Sequence, residues 1–162
     1  MARGSRDRGP AKRTARGTEA FLIRPLRVRD YDAIVSVWRS AGLRFRPRGR
    51  ESRGSIAAQL RRNRGLYLGA FQGPDLVGVV LATHDTRKGW INRLAVRPDH
   101  RRLGVATRLV RSAERALSNR GINVFAAHVE IGNAPSLRFF QRLGYAVYPV
   151  RYLRKKKRRP SA

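Results

Sequence analysis

Two arginines and a glycine stand where an apolar run gives way to an amphipathic one, and their spacing suits the binding of a phosphate. The apolar run 91–96 is followed by Pro98, and Gly104 opens the next segment. A helix starting there would carry first-turn N–H groups without an intrahelical partner, and the positive end of its dipole, both of which attract anions. Arg101 and Arg102 add fixed positive charge. The pattern predicts a phosphate-binding turn, with a plain helix start as the alternative.

A second motif lies downstream of the first. The first reads Arg-x-x-Gly-x-Ala from Arg101 to Ala106, and the second runs from Asn133 to Tyr145, with aromatic residues in a helical stretch and a Leu-Gly-Tyr end. In order and spacing they resemble the pyrophosphate loop and the closing stretch of the GNAT superfamily of N-acetyltransferases, and the resemblance covers roughly residues 21–153. The chain is similar to small bacterial and archaeal members that acetylate ribosomal proteins and related amines. The resemblance implies acetyl-CoA as cosubstrate.

By matched position, the resemblance assigns cofactor-binding roles to two backbone stretches and three side chains. One strand would pair its backbone with the pantetheine arm, the following turn would hold the pyrophosphate, and three later residues would bond or flank the cofactor. These residues are Leu94, Ala95 and Val96; Arg101, Arg102, Leu103, Gly104, Val105, Ala106 and Thr107; and Asn133, Phe140 and Arg142. Structural roles stay open beside these. Leu94, Val96 and Phe140 also suit a core, and Asn133 also suits a helix cap.

The catalytic residues match the family less closely. Many members carry a tyrosine at the position of Phe140, placed to protonate the departing thiolate of coenzyme A, and phenylalanine cannot do that. His128 stands where members acting on protein N-termini often keep a glutamate, and Trp90 where histone-type members keep one. A histidine can accept a proton at neutral pH, so His128 is one candidate base and a hydrogen-bonded structural histidine is the alternative. Glu130, two residues on and on the same side of a regular strand, is the other candidate.

The net charge is strongly positive and unevenly placed. The 162 residues carry a formal charge of +27, of which residues 1–17 hold +5 and residues 151–162 hold +7. The two ends offer too little apolar surface to offset the entropy lost on ordering, so we expect disordered basic tails at 1–17 and 154–162 around one domain at 18–153. Contact of these tails with RNA, the ribosome or another anionic surface is one interpretation, and solvated tails without a partner are the other.

Composition bounds the class of protein further. A content of 41% apolar residues is enough for one core, and no apolar stretch approaches the ~20 residues that a membrane span needs. No apolar segment follows the basic start, so we expect no secretory signal and a cytoplasmic location. Without cysteine there is no disulfide framework or thiolate site, and His84, His100 and His128 lack the spacing of metal ligands, so no metal is expected.

Apolar periodicity and turn residues divide the body into alternating strands and helices. Strands are predicted at 20–26, 66–71, 76–84, 90–96, 123–129 and 145–153, and helices at 31–41, 55–63, 104–119 and 135–143, with Asp30 as the cap of the first helix. This βααβββαβαβ order is that of the GNAT fold. The expected class is α/β (α+β), with a mixed, mostly antiparallel sheet splayed between strands four and five and flanked by helices. The resemblance implies that the pantetheine lies in that splay.

Two hypotheses about function follow. The leading one is an acetyl-CoA-dependent N-acetyltransferase in which a primary amine attacks the thioester directly, so that no protein nucleophile is needed. The alternative is a nucleic-acid-binding or ribosome-binding protein on the same scaffold, with weak or lost catalysis. The loop 44–53 carries a net charge of +4, and in relatives this region closes over the acceptor. Its charge favours an amine on an acidic molecule, or a protein N-terminus with acidic neighbours, unless these arginines are merely solvated or pair with acids elsewhere.

Overall fold

The computed structural model describes residues 21–155, which form one mixed sheet with helices on its faces. The strands are β1 (Leu22–Pro25), β2 (Tyr67–Gln72), β3 (Asp75–His84), β4 (Gly89–Val96) and β5 (Phe125–Ala127). The helices are α1 (Tyr31–Ser40), α2 (Arg53–Arg62), α3 (Val105–Ser118) and α4 (Ala134–Arg142), and short 3-10 turns at Val28–Asp30 and Pro98–His100 precede α1 and α3. The predicted fold class is therefore confirmed. The proposed tails lie almost wholly outside the described residues.

The sheet is ordered β1-β2-β3-β4-β5. Strands β1 to β4 are antiparallel neighbours, and β5 pairs with β4 in parallel because α3 crosses over between them. The β4–β5 pairing covers only Gly89, Trp90 and Ile91, opposite Phe125 to Ala127. From Asn92 onward β4 has no β5 partner in the described structure. The strands separate there, as the predicted splay requires.

A bulge marks the start of this separation. Val79 pairs with Ala95 and Leu81 with Asn92, so Arg93 and Leu94 both lie opposite Val80. Arg93 has a φ of 52°, a left-handed conformation that a residue with a side chain rarely adopts. A bulge of this kind bends its strand and redirects side chains, and such bulges are common beside functional sites. The sequence contains no glycine there to signal it.

The core lies between the sheet and the apolar stripes of α1 and α3. In α1 the buried positions are Ile34, Val35, Val37 and Trp38, and in α3 they include Val105, Leu109, Ala113 and Leu117. Both helices follow the predicted 3.6-residue period. Gly42 (φ 74°) and Gly121 (φ 78°) lie just beyond their ends, in the left-handed conformation that ends a helix without side-chain strain.

Two local predictions were wrong. Residues 145–153 form no strand: Val147, Tyr148, Val150, Tyr152 and Leu153 are exposed, and Pro149, which has no N–H group, interrupts any ladder. Asp30 occupies the N-cap position of α1, but its side chain caps no N–H group of that helix. Its carboxylate instead accepts two hydrogen bonds from Arg24 at 2.9 and 3.0 Å and one from the Arg27 backbone N–H at 2.8 Å.

The Asp30 cluster gives the fold an acid sensitivity that can be tested. The hydrogen bonds from Arg24, opposed in part by burial, lower the pKa of Asp30. A lowered folded-state pKa contributes stability above the unfolded value of about 3.9, and that stability is lost as pH falls through the folded value. Asp30→Asn is therefore expected to lower the free energy of unfolding at pH 7 and to flatten its decline below about pH 4. Urea denaturation at pH 7 and pH 3 measures both effects.

Arg24→Gln serves as the matched variant, because the Arg24 hydrogen bonds are the largest cause of the shift. It should flatten the acid decline in the same way. A decline in Asp30→Asn as steep as that of the wild type would show that other carboxyl groups govern acid unfolding.

Candidate active site

The turn between β4 and α3 forms an exposed, positively charged entrance to a helix. Arg102 and Gly104 have left-handed φ angles of 66° and 77°, and Gly104 is the N-cap residue of α3. No side chain caps α3, and its first turn carries no acidic residue. The Gly104 carbonyl accepts a hydrogen bond from the Arg108 N–H at 3.0 Å, which joins the N-cap residue to the first turn of α3. The first-turn N–H groups therefore lack a partner within the helix, and the exposed Arg101 and Arg102 side chains precede them in the turn.

Space at Gly104 suits a bulky anion. A Cβ atom placed on Gly104 would meet nothing within 4 Å, so the backbone here is open to close approach. Two side-chain hydrogen bonds of His100 stabilise the turn. His100 bonds Asp99 through Nδ1 at 2.7 Å and Gln72 through Nε2 at 2.8 Å, and these contacts tie the turn to the end of β2. The hydrogen bond to His100 is the main cause that lowers the pKa of Asp99.

The unpaired part of β4 leads directly into this turn. Leu94 and Val96 are half-buried and Ala95 is buried, while their backbone on the β5 side has no strand partner among the described residues. The Val96 partner on the other side is Gly78 of β3. An extended chain of amides could therefore add to this edge as a strand does. The pantetheine role of these three residues stays a prediction that this geometry permits.

Of the three predicted cofactor residues in or next to helix α4, two have structural roles. The Asn133 Oδ1 atom accepts a hydrogen bond from the Ser136 N–H at 3.2 Å and so caps the helix. Phe140 is buried and makes edge-to-face contacts with Phe139 at 5.2 Å and Tyr145 at 5.0 Å. Arg142 is exposed. The capping and core interpretations of Asn133 and Phe140 therefore hold, and cofactor contact by all three residues remains to be tested.

Tyr145 is the nearest tyrosine in the chain to Phe140, the position at which many members of the resembled family carry an acidic tyrosine. Its hydroxyl could not take over that role without losing its own hydrogen-bond partner. It donates a hydrogen bond to Glu114 Oε1 at 2.9 Å, and burial together with Glu114 raises the pKa of Tyr145. Glu114, itself buried, also accepts from Arg111 Nη1 at 3.1 Å. Tyr145 thus fastens the end of α4 to α3.

His128 lies at the point where β4 and β5 part. Its ring stacks on Trp90 with centroids 4.8 Å apart and planes 9° apart, and the Tyr152 ring lies 5.3 Å away. Within the described chain the contacts shown for His128 are aromatic, which does not match the hydrogen-bonded structural histidine considered above. His128 and Glu130 are both exposed and follow Ala127, the last residue of β5. Strand alternation therefore does not place them on one side.

A cavity of about 250 Å³ opens beside the bulge of β4, on the side of α2 and the loop 44–52. Its lining residues are Arg50, Glu51, Gln59, Tyr67, Leu81, Thr83, Asn92 and Arg93. Burial raises the pKa of Tyr67 to about 12, so its hydroxyl stays protonated at neutral pH and donates to Gln59 Oε1 at 2.9 Å. Asn92 donates to the Thr83 hydroxyl at 3.2 Å. Most of its lining side chains carry a polar or charged group, and the cavity adjoins the strand predicted to hold the pantetheine.

One buried carboxylate fastens the basic loop to β4. Glu51 is 5% exposed and accepts hydrogen bonds from the Arg46 N–H at 2.9 Å and from Arg50 Nε at 2.7 Å. Arg93 Nη1 lies 3.7 Å from Glu51 and donates to the Arg44 carbonyl at 2.9 Å. We call this arrangement of Glu51 with Arg50 and Arg93 the Glu51 clasp. It fixes the loop over the cavity.

Arg93 is held in a low-dielectric site. Its guanidinium carbon lies 4.3 Å from the centre of the Trp38 ring, and its Nε and Nη2 atoms are buried without a hydrogen-bond partner in the described structure. Burial lowers the pKa of Arg93, and Glu51 opposes that shift. Sequence reasoning missed the Glu51–Arg93 contact of the clasp, because Glu51 lies in an aperiodic loop and Arg93 in a strand. The only signal was a lone acid among five arginines.

The clasp also changes the charge that the loop presents. Arg50 pairs with Glu51, and Arg53 pairs with Asp32 at 2.6 Å. Arg44, Arg46 and Arg48 make no ion pair within residues 21–155. Two of the five arginines of the loop therefore pair with acids, as one interpretation expected, and the preference for an acidic acceptor stays a prediction.

The described residues contain neither a candidate metal site nor a candidate membrane span. No group of three or more His, Asp or Glu side chains there could hold a metal ion. No helix within 21–155 has the length and apolar character to cross a membrane.

The chain is similar to known proteins in both sequence and structure. A sequence profile of the acetyltransferase (GNAT) family matches residues 31–145. Among solved structures, the PaiA N-acetyltransferase from Thermoplasma acidophilum in complex with coenzyme A superposes with a TM-score of 0.74 at 21% identity, covering 82% of this chain and 93% of that one. The ribosomal-protein-S18-alanine N-acetyltransferase from Escherichia coli gives 0.65 at 19% identity, covering 77% of each chain.

A third similar structure is the aminoglycoside antibiotic 6′-N-acetyltransferase AAC(6′)-IG from Acinetobacter haemolyticus. It gives a TM-score of 0.65 at 22% identity, covering 85% of this chain and 99% of that one. At these identities the three likenesses show a shared fold.

Proposed function

Because the chain belongs to the acetyltransferase (GNAT) family, we propose that it transfers the acetyl group of acetyl-CoA to a primary amine. The observation that carries this proposal is the pairing of β4 with β5, which stops at Ile91 and leaves an open edge that leads to the uncapped start of α3. An extended pantetheine arm suits the edge, and a pyrophosphate suits the helix start. Both features lie within the matched residues.

The residues present fit acetyl-CoA. N–H groups from Arg102 to Thr107 would hold the pyrophosphate, because Gly104 leaves the approach open and no side chain competes for the first turn. The backbone of Leu94, Ala95 and Val96 would align the pantetheine arm, and Asn133, Phe140 and Arg142 would border it. Acetyl-CoA supplies the activated acyl group. The protein's main contribution is to hold the two reactants in line, which is worth several kcal/mol of the barrier.

The reaction balances without a protein nucleophile. The amine nitrogen forms a bond to the thioester carbonyl carbon, the carbon–sulfur bond breaks, and the sulfur leaves as a thiolate. The nitrogen loses one proton, and the thiolate gains one. His128, exposed at the point where the strands part, would accept the amine proton directly or through water, with Glu130 as the second candidate. Loss of a general base of this kind costs ~10²–10⁴-fold in rate.

No dedicated acid for the thiolate is needed. Phe140 has no proton to give, and the Tyr145 hydroxyl is engaged with Glu114. A thiol near the pKa of free cysteine, about 8.5, is already a fair leaving group at neutral pH, so solvent can supply the proton. The intact turn at α3 favours this enzyme over a scaffold that has lost catalysis, and the family match adds no support for that alternative.

The polar cavity beside the Glu51 clasp would receive the acceptor. It adjoins β4 on the loop side, where Arg50 and Glu51 line it. The same loop carries Arg44, Arg46 and Arg48, which have no ion-pair partner among residues 21–155 and give the loop a positive charge. A field of this sign repels polycations and concentrates anions. The acceptor class proposed is therefore an amine on an acidic or phosphate-bearing molecule, including a protein N-terminus with acidic neighbours.

Two peptides with the same free amine test this acceptor class. One carries Glu and the other Lys at the flanking positions, and transfer from acetyl-CoA is measured at low and high salt. We expect faster transfer to the acidic peptide, with a preference that shrinks as salt screens the field. The triple variant Arg44→Gln, Arg46→Gln, Arg48→Gln should reduce the preference at low salt. A preference of the wild type for the Lys-flanked peptide would refute the acceptor assignment.

A further inference from the structure

A second basic concavity lies between β1 and α3. Its volume is about 540 Å³, larger than that of the cavity beside the clasp. The lining residues are Phe21, Leu22 and Ile23 from the β1 side and Thr107, Arg108, Arg111, Ser112 and Arg115 from α3. Three of the eight are arginines and none is acidic. We call this concavity the β1–α3 groove.

The three arginines form a row along one flank of α3. They follow each other at intervals of three and four residues, which on a helix places neighbouring Cβ atoms roughly 5–6 Å apart. Each is anchored by one bond: Arg108 Nη2 to the Phe21 carbonyl at 2.7 Å, Arg111 Nη1 to Glu114 at 3.1 Å, and Arg115 Nη2 to the Ser112 hydroxyl at 3.1 Å. A guanidinium has five N–H donors, so most donors of the row remain to bind a ligand.

Apart from Thr107, which borders both, the groove is separate from the proposed acetyl-CoA site. Strand β1 forms the opposite edge of the sheet from β5, while the proposed cofactor site lies between β4 and β5. On α3, Glu114 reaches Tyr145 at the end of α4, which belongs to the cofactor side. From Thr107 the groove runs along the helix to Arg115, away from the pyrophosphate turn. The cofactor therefore does not account for the charge of the groove.

We propose that the β1–α3 groove binds the phosphate backbone of a single-stranded nucleic acid. Successive arginines along the groove offer charge-assisted, forked hydrogen bonds to phosphate oxygens, and the Thr107 and Ser112 hydroxyls can add further bonds. Of the large apolar residues of the groove only Leu22 is strongly exposed, at 62%, so the surface lacks the apolar face with which a helix enters a membrane.

Two variants of the full-length chain isolate the groove. Arg111→Gln with Arg115→Gln removes two charges from the row, and Arg61→Gln with Arg62→Gln removes two from the exposed end of α2 as the matched control. Leu22→Glu adds a negative charge at the groove without removing a polar contact, and Val28→Glu, which is also exposed, is its control. Loss of the Arg111–Glu114 ion pair could lower the stability of the first groove variant. Leu22→Glu and its control leave that ion pair intact, so they test the groove independently of it.

Binding of a fluorescent 20-nucleotide single-stranded RNA, and of the DNA of the same sequence, is followed by anisotropy from 50 to 200 mM salt. Two lost phosphate contacts should lower the salt slope by about 1.4 and weaken RNA binding roughly 10- to 30-fold at 0.1 M salt. Leu22→Glu should weaken binding in the same direction, while each control changes affinity less than about threefold. Comparison of the RNA and DNA arms shows which backbone is preferred.

The proposal would be refuted if the groove and control variants lost equal affinity for RNA, or if neither lost any. Tighter binding of poly-glutamate than of either nucleic acid would refute it as well. The thermal shift given by acetyl-CoA should persist in all four variants, because none of the changed residues belongs to the proposed cofactor site. An experiment that refutes nucleic-acid binding by the groove is therefore distinguishable from one that refutes the proposed acetyltransferase function.

Discussion

Gly104→Glu is expected to abolish the thermal stabilisation that acetyl-CoA gives the protein. A ligand that binds only the folded state stabilises it by about 2.7 kcal/mol at a hundredfold excess over its dissociation constant. In the variant a side chain and a negative charge would occupy the open space beside the N-terminus of α3, where the pyrophosphate is proposed to lie. The measurement is the melting temperature with and without acetyl-CoA.

A matched control separates this effect from backbone strain. Gly121 has a φ of 78°, against 77° for Gly104, and a Cβ there would also meet nothing within 4 Å. Gly121→Glu, at the far end of α3, should lower the melting temperature of the free protein through the same left-handed strain and yet keep the acetyl-CoA shift. If Gly104→Glu responds to acetyl-CoA as the wild type does, the pyrophosphate does not bind at this turn.

Glu51→Ala should lower the free energy of unfolding by about 3 kcal/mol or more. Removal of one partner from a buried ion pair leaves an uncompensated charge, which typically costs 3–5 kcal/mol. Here the Arg46 N–H would also lose its acceptor, and Arg93, already desolvated over Trp38, would keep only the Arg44 carbonyl. Urea denaturation of the two proteins gives the difference directly.

Asp32→Ala is the control for the Glu51 clasp. Asp32 also pairs with an arginine of this region, Arg53 at 2.6 Å, but both side chains are largely exposed. Pairs of this kind contribute at most about 1 kcal/mol, so the control should be nearly neutral. Similar losses in the two variants would mean that the clasp does not fasten the loop through burial of its charges.

The elements that local signals specify could be predicted from sequence. Helix α3 shows a long apolar stripe, starts at Gly104 and stops before Gly121, and strands β3 and β4 are bounded by turn residues, so all three appear within a residue or two of the expected bounds. The separation of β4 from β5 came from the family resemblance. It is confirmed by the pairing that stops at Ile91.

The features that escaped prediction depend on contacts between residues distant in the chain. The left-handed bulge at Arg93 has no glycine to signal it, and its pairing with Glu51 joins a strand to a loop more than forty positions away. The stack of His128 on Trp90 likewise joins β4 to the residue that follows the end of β5. Residues 145–153 have the composition of a strand, but Pro149 interrupts the ladder and their apolar side chains stay exposed.

The central claim is transfer of an acetyl group to an amine. The most direct measurement incubates the purified full-length protein with isotopically labelled acetyl-CoA and fractionated cell lysate, and identifies labelled amines by mass spectrometry. We expect labelled acetyl groups on primary amines with the wild type and with Gly121→Glu, and none above background with Gly104→Glu. A wild-type protein that is stabilised by acetyl-CoA but labels no amine above the protein-free control in any fraction would contradict the account.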